Sequence, residues 1–503
     1  MNSLPKQHET LDLVVVGGGI NGVGIAVDAV GRGLKVGLYE SHDFAGATSS
    51  VSTKLIHGGL RYLEHFEFRL VREALAEREI LLAKAPHIIS PMRFRLPHRP
   101  HLRPAWMIRA GLFLYDHLAK LNTLPKSQPV RLDNQNVVNQ SLERGFEYSD
   151  CWVDDARLVV LNAMQAKELG AEVSNYCQVN QAKRVNHLWD ISITDKRTQS
   201  SFTRKAKALV NATGPWVNHF VKKGLALPPA HSIRLIKGSH IIVPRLHTEE
   251  QAYILQGADH RIVFVIPYLG KFSMIGTTDV EFSGDPRSIT IDNQEKQYLI
   301  DITNQYFRCN LSLENILDDF SGVRALRDDE SDSPQAITRD YTLSLEHTNG
   351  QAPLLSVFGG KLTTYRKLSE AALNNLAPFF ELKPSWTQFH PLPGGENFDH
   401  AALENHLQQF TFLDNDTRMR WLKAYGSRLF YLLNSVQTEQ DLGIKFTHGV
   451  YQKEIDYLIE KEFSFHADDV LKRRSKLHLL CDTNASQRIS DYIQSHKAVV
   501  SHQ

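Results

Sequence analysis

Val16 is followed by Gly17-Gly18-Gly19-Ile20-Asn21-Gly22, a G-x-G-x-x-G run suited to holding a dinucleotide pyrophosphate. Gly17 permits the tight turn, Gly19 lets the backbone approach the phosphates, and Gly22 allows close helix packing. A helix opening here, with Asn21 in its first turn, points free N–H groups and its positive dipole end at an anion. Glu40, after the next apolar run, stands where an acid accepts hydrogen bonds from a ribose. The glycines alone are a weak signal, since an ordinary glycine turn has the same composition. They do not separate a nicotinamide cofactor from a flavin.

Two later glycine turns favour the flavin. Ala208–Trp216 is an apolar run ending in Ala212-Thr213-Gly214, similar to the second flavin-contacting segment of two-dinucleotide-fold flavoproteins. Gly359-Gly360-Lys361-Leu362-Thr363 precedes a helix predicted to begin near Thr363, whose N-terminus could face the flavin ring or ribityl chain. Glycine N–H groups and Lys361 suit negative charge developing there.

These residues need a scaffold, and the flanking pattern supplies one. Leu11–Val16 reads as a buried strand, Ile20–Val30 as a helix ended by Gly31 and Gly33, and Lys35–Tyr39 as a second strand, closing a βαβ unit. Glu67–Lys84 reads as a helix stopped by Pro86. From about residue 231 the texture turns to β: Ile233–Val243, Tyr253–Gln256, Ile262–Pro267 and Phe272–Thr277. Their short gaps predict antiparallel neighbours in a separate sheet, the floor of a substrate chamber. Lys383–Gly395, rich in Pro and Gly, is a break. A helical domain follows, in which Asp468 and Asp469 open a helix carrying Arg473 and Arg474 in later turns, matching its dipole and giving an i,i+4 pair.

Composition narrows the class. The chain has 503 residues, 42% hydrophobic and 22% charged, with 57 Lys and Arg against 56 Asp and Glu. Length suggests two to four domains at about 150 residues each. A net charge of +1 argues against a dedicated nucleic-acid binder. Four widely spaced cysteines suggest a reducing compartment without disulfides. No signal peptide or membrane-spanning run is expected.

Ala47-Thr48-Ser49-Ser50 and Thr53-Lys-Leu-Ile-His-Gly-Gly-Leu-Arg-Tyr-Leu63 resemble the aerobic, FAD-dependent glycerol-3-phosphate dehydrogenases of the bacterial respiratory type. So do Pro91–Pro104, Gly145–Ala156, Ile275–Asp279, Asp328–Pro334 and Gly359–Arg366, and the resemblance runs from about residue 10 to about 480. It weakens in Gln128–Leu142, Gln181–Thr203 and the linker after 380. The resemblance implies an α/β fold: an FAD-binding two-dinucleotide-fold flavoprotein with a Rossmann-like βαβ core, an antiparallel-sheet substrate domain and a C-terminal helical domain. Cofactor segments fall at about 10–75, 150–230 and 325–385, substrate segments at about 76–149 and 231–324, and the helical domain at 396–503. It further implies oxidation of sn-glycerol 3-phosphate to dihydroxyacetone phosphate with FAD, electrons passing to ubiquinone or menaquinone. The enzyme would be a homodimer on the cytoplasmic face of the bacterial inner membrane.

Such a reaction takes a hydride from carbon and a proton from a hydroxyl, and a phosphate needs fixed cations. Arg61, Arg324, Lys361 and Arg339 are the candidates, each beside a glycine- or serine-containing turn or inside a family motif. The alternative is that each pairs with a surface acid. His57 is the candidate base, because imidazole titrates near neutral pH and guanidinium does not; a structural histidine is its alternative. Thr277 could bond a substrate oxygen or simply end a buried strand. Thr48, Ser49, Ser50 and Thr53 are placed along the flavin.

Between Glu79 and Asp116 there is no acid, while Lys84, Arg93, Arg95, Arg99, Arg103 and Arg109 accumulate. Ala105–Leu121 reads as an amphipathic helix with Ile108, Leu112, Tyr115 and Ala119 on one face. Trp106 and Phe113 suit an interface, and Arg99, Arg103 and Arg109 suit anionic head groups. A core-facing helix beside a solvated basic loop is the alternative. No metal site and no nucleophile–base pair stand out. An oxidase passing electrons to oxygen, or a non-catalytic nucleotide-binding protein of the same fold, remain the competing readings.

Overall fold

A computed structural model describes residues 9–99, 104–119, 123–132, 137–259, 261–328, 340–348 and 350–501. Arg103 and Arg339 lie outside the described residues. The opening unit forms as the sequence predicts: β1 (Leu11–Val16), α1 (Ile20–Gly31) and β2 (Val36–Tyr39). The chain continues through β3 (Leu55–Ile56), α2 (Phe68–Lys84), β4 (Ile89–Pro97), α3 (Ala105–Leu118), β5 (Gln128–Arg131), β6 (Arg144–Val153) and α4 (Asp155–Glu168). Then come β7 (Glu172–Ser174), β8 (Cys177–Val185), β9 (Leu188–Asp195) and β10 (Ser200–Asn211).

The first sheet is completed by β17 (Thr342–Glu346) and β18 (Leu354–Phe358), in the order β17-β18-β10-β1-β2-β7. From β18 to β7 its neighbours are parallel, β17 is an antiparallel edge, and β8 and β9 extend it from β10. Val15, Val210 and Leu355 pack under α1, α4 and α6 (Tyr365–Leu376), while Val14 and Leu209 pack against Trp189 and Phe220 on the other face. Covering both faces is what makes these strands read as unbroken apolar runs. It brings each fully buried Val or Leu about 1.5–3 kcal/mol relative to exposure.

The second sheet holds β11 (Ile233–Pro244), β12 (Ala252–Gln256), β13 (Ile262–Tyr268), β14 (Phe272–Gly276), β15 (Val280–Phe282) and β16 (Asp318–Arg327). Its order is β15-β11-β14-β13-β12-β4-β6-β3, with β16 on β11 and β5 on β6. The short-gap strands pair antiparallel as expected. The sheet is nonetheless mixed, because β4 joins β12 in parallel after a long excursion. Leu55–Ile56, within the stretch given to the cofactor half, pairs with β6 in this sheet. Helices α2 and α3 cover one face and α5 (Asn293–Tyr306) the other.

Beyond residue 396 a separate core gathers Trp421, Leu422, Tyr451 and Leu458 among α7 (His400–Gln408), α8 (Asn415–Tyr425), α9 (Gln452–Lys461) and α10 (Ala485–Ser501). The predicted helix at Asp468 is instead one wide π-type turn, Asp469–Arg474. Asp469 is buried rather than capping a regular helix. It accepts from the Phe465 and His466 N–H groups and pairs with Arg473 at 2.6 Å.

Candidate active site

Strands β18, β10 and β1 lie side by side and parallel, so their carboxyl ends bring the three glycine turns to one edge, where open α/β sheets bind ligands. Gly17 has φ +112°, and a Cβ there would stand 2.5 Å from the Ala212 carbonyl oxygen. A Cβ on Gly22 would overlap the Gly17 carbonyl. Asn21 Nδ2 donates to the Gly359 carbonyl at 3.1 Å, and Gly360, at φ +96°, is closed to a Cβ by Asn21. Thr213 Oγ1 donates to Asn211 Oδ1 at 2.7 Å, followed by Gly214.

Glu40 directly follows β2, accepting from Gly18 N–H at 2.6 Å and from His42 N–H at 2.8 Å. Burial pushes its carboxyl up, and those two N–H groups oppose the shift. The 3-10 turn Thr48–Ser50 lies over the start of α1, where Ser49 Oγ accepts from Ile20 N–H at 3.0 Å. Thr48 Oγ1 donates to the Val323 carbonyl at 2.7 Å, tying this turn to β16.

These residues fit FAD. The turn at Gly17–Gly22 excludes side chains, the α1 N-terminus carries no capping side chain of its own, and Asn21 Oδ1 is buried without a partner among the described residues. Ser49, Ser50 and the backbone of Gly359–Gly360 border the same cradle. Leu362 and Thr363 follow it into α6, and Thr363 Oγ1 accepts from the His57 N–H at 3.2 Å.

The candidate cations come from three separate segments. Arg61 lies half-buried in the turn Leu60–His65. Its neighbour Tyr62 has Lys361 Nζ 4.0 Å from the ring centroid. Arg324 pairs with Asp279, and a Cβ on Gly238 would lie 2.6 Å from Thr277 Oγ1 and 3.4 Å from Arg324 Nη2. Arg324 sits inside β16, not after a turn as its Ser-Gly neighbours suggested. The carbonyl of its neighbour Ala325 comes 3.9 Å from the Cβ position of Gly359, so the cation strand borders the third glycine turn. Thr277 follows β14 directly, as a strand-end residue.

His240 is the group sequence reasoning missed. It is buried on β11, stacks on Phe320 at 4.8 Å, and holds Thr53 Oγ1 at 3.0 Å through Nε2. Thr53 thus joins the segment after the Thr48–Ser50 turn to an imidazole of the second sheet. Burial, with the charges of Lys54 and Arg324, pushes His240 down to about 3, so its imidazole is neutral near neutral pH. The available signal was its place on a β strand of the predicted floor, which does not separate it from any core histidine.

The basic stretch divides in space. Arg93 and Arg95 pair with Glu147 at 2.9 and 3.0 Å, Arg95 also meets Glu249, and buried Lys84 donates to the Thr387 and His390 carbonyls. Arg99 stacks 4.0 Å from the Tyr306 ring centroid and donates to the Gln305 carbonyl. A segment without acids in sequence thus meets acids supplied by other strands. Helix α3 faces the core on one side and leaves apolar side chains exposed on the other. Ile108, Leu112 and Tyr115 are buried, while Trp106 (71%), Phe113 (63%) and Arg109 are exposed beside Phe66 (79%) of the neighbouring turn.

Comparison with known proteins agrees with this geometry. Residues 12–366 match the family model described as FAD dependent oxidoreductase, and 385–498 the model described as C-terminal domain of alpha-glycerophosphate oxidase. The aerobic glycerol-3-phosphate dehydrogenase of Escherichia coli is 54% identical, over 96% of this chain and 97% of that protein. The D-erythritol 1-phosphate dehydrogenase of Brucella abortus is 46% identical, over 94% and 95%. The structure of the Bacillus halodurans glycerol-3-phosphate dehydrogenase complexed with FAD matches with a TM-score of 0.73 at 25% identity, over 97% of this chain and 95% of that one. The chain belongs to the FAD-dependent oxidoreductases, in the group that holds the glycerol-3-phosphate dehydrogenases.

Proposed function

We propose that this chain oxidises sn-glycerol 3-phosphate to dihydroxyacetone phosphate and delivers the electrons to a membrane quinone, ubiquinone or menaquinone. The observation that carries the reading is the placement of Arg324 and Thr277 together beside Gly238, on a sheet whose Ala325 carbonyl borders the Gly359 turn. FAD, when bound, supplies the acceptor for the substrate's hydride. Arg61, Lys361 and Arg324 hold the phosphate and orient the secondary alcohol, with Arg339 a further candidate beyond the described residues. The guanidinium of Arg324 is aimed by Asp279 and suits bidentate contact. Thr277 Oγ1, which donates to the Thr278 carbonyl at 3.0 Å, can still accept from a substrate hydroxyl.

The hydroxyl proton passes to His57, whose backbone is pinned by Thr363. His240, pushed down to about 3 by burial, stays neutral and holds Thr53. The exposed outer face of α3, with Phe66, Trp106, Phe113 and Arg109, rests on an anionic bilayer surface. Among the described residues no helix is long and apolar enough to cross a membrane. The enzyme acts as a homodimer on the cytoplasmic face of the inner membrane.

Two observations favour other outcomes. The C-terminal match to a glycerophosphate oxidase raises oxygen as acceptor, and the Brucella relative raises a longer polyol phosphate as substrate. Steady-state turnover with each substrate, run with quinone or with oxygen alone, separates them. The proposal expects glycerol 3-phosphate and quinone to give the highest kcat/KM. A preference for oxygen or for erythritol 1-phosphate would replace it.

A further inference from the structure

The basic run Lys472-Arg473-Arg474-Ser475-Lys476 lies in the C-terminal helical region, yet Arg473, Arg474 and Lys476 reach acids beside the first sheet's cofactor edge. Two routes lead there. In the first, Lys476 pairs with Asp154 and lies 3.8 Å from Asp155. Asp155 is fully buried and accepts from Lys54 Nζ at 2.9 Å and Ser52 Oγ at 2.8 Å. Lys54 Nζ donates in turn to the Ser50 carbonyl at 2.9 Å, in the turn whose Ser49 caps Ile20 N–H.

In the second route, Arg473 and Arg474 both pair with Asp43, Arg474 Nη2 at 2.9 Å from Oδ1. Phe463 packs edge-on against Phe44 at 5.1 Å between centroids. Phe44 closes the space beside Gly18, where a Cβ would stand 2.5 Å from its ring. The N–H of Ala45 donates to the Gly18 carbonyl at 3.2 Å. The two routes therefore end at two points of the glycine fingerprint, one through Ser49–Ser50 at Ile20 and one through Phe44–Ala45 at Gly18.

Every charge along them is matched. Lys54 and Lys476 meet Asp154 and Asp155, and Arg473 and Arg474 meet Asp43 and Asp469. Removing Lys476 leaves Asp154 without its cation and takes the second cation from Asp155, a penalty that the structure relieves by rearranging around the two acids. Because Asp155 also holds Lys54, a shift there moves the Ser50 carbonyl and with it the turn over the α1 N-terminus.

We propose that Lys476 and Arg474 are positioning residues for the cofactor: the C-terminal region clamps the fingerprint through Asp155–Lys54 and Asp43–Phe44, so that FAD binding and docking of that region are coupled. This rests on the flavin reading above. Coupling is reciprocal, so FAD must in turn tighten the docking.

The test uses full-length protein, stripped of flavin and titrated with FAD by fluorescence quenching, with Tm as a parallel readout. K476M is expected to raise the FAD Kd about tenfold, and K476R to restore it within twofold. D154N, which keeps a side chain able to cap α4, should raise it about threefold and serves if K476M does not fold. R420M is the control: it breaks the Arg420–Glu454 pair inside the C-terminal core and should lower Tm with the FAD Kd unchanged. FAD should also slow proteolysis at 383–399 in the wild type and lose that effect in K476M. A Kd for K476M and D154N within twofold of wild type, with Tm lowered as in R420M, would overturn the clamp. Failure of the wild-type protein to bind FAD would instead remove the flavin reading itself.

Discussion

Asn21 Nδ2 donates to the Gly359 carbonyl at 3.1 Å, joining residues 338 positions apart in sequence. The bond locks the first turn of α1 to the third glycine turn, and it leaves Asn21 Oδ1 buried without a partner among the described residues. One side chain thus spaces the two loops proposed to hold the cofactor. Replacing it with alanine removes a net stabilisation of about 1 kcal/mol. N21A should therefore raise the FAD Kd roughly fivefold, read by fluorescence titration. An unchanged Kd would mean that the two turns hold their spacing without it.

Arg324 and Lys361 should separate kinetically. Arg324 is aimed by Asp279, whereas Lys361 stands over Tyr62. R324M loses charge-assisted hydrogen bonds of about 1.5–3 kcal/mol, which predicts roughly 10- to 100-fold lower kcat/KM. D279N should reproduce part of that loss through a loosened Arg324. Wild-type kinetics in D279N would show that the ion pair does not orient the guanidinium.

The two imidazoles make opposite predictions. H57A should slow single-turnover flavin reduction about 100-fold or more with little change in substrate affinity, as expected for loss of a general base. H240A should mainly disturb Thr53 and the Phe320 stack, with a smaller kinetic effect. If H240A is the slower of the two, the proton goes to the buried histidine and His57 leaves the mechanism.

Membrane association should follow the apolar side chains of α3 more than the arginines named with them. Trp106 and Phe113 are exposed, and each would recover about 1.5–3 kcal/mol if buried in a bilayer. W106S/F113S should move the protein from pellet to supernatant in co-sedimentation with anionic vesicles, and R109Q should do so partially. R99Q should change little, since Arg99 is held on Tyr306. Retention of W106S/F113S in the pellet would point to another surface.

Asp28 gives a signed pH dependence. It is fully buried on α1, 3.5 Å from Arg32, and burial pushes its carboxyl up to about 6 from 3.8. The folded state thus holds this proton more tightly than the unfolded state. Its contribution to stability is complete below about 3.8 and lost as pH rises through about 6. At pH 7.5 the ionised group costs on the order of 3 kcal/mol. Arg32 keeps its bonds to Lys383 and Asn374 without it. D28N should accordingly raise Tm at pH 7.5 and leave it nearly unchanged at pH 4; an equal gain at both would contradict the assignment.

What could be read from the chain alone is what local physics encodes. The fingerprint at Gly17–Gly22, the unbroken apolar strands and the change to β texture after residue 231 each follow from backbone sterics or burial over a few residues. The fate of charges does not. Arg93 and Arg95 looked like a solvated block until β6 supplied Glu147. Arg474 looked like a helix-dipole match, but its partner Asp43 is 431 positions away. His240 gives no local sign of its role, because its environment is made by Thr53, Phe320 and Gly276 from three other segments.

The central claim is that glycerol 3-phosphate reduces a flavin held at this edge. The most direct measurement adds stoichiometric glycerol 3-phosphate to the FAD-loaded protein under anaerobic conditions and follows the flavin absorbance while dihydroxyacetone phosphate is quantified. The account predicts bleaching with one product molecule formed per flavin. A flavin that stays oxidised with saturating substrate would contradict it.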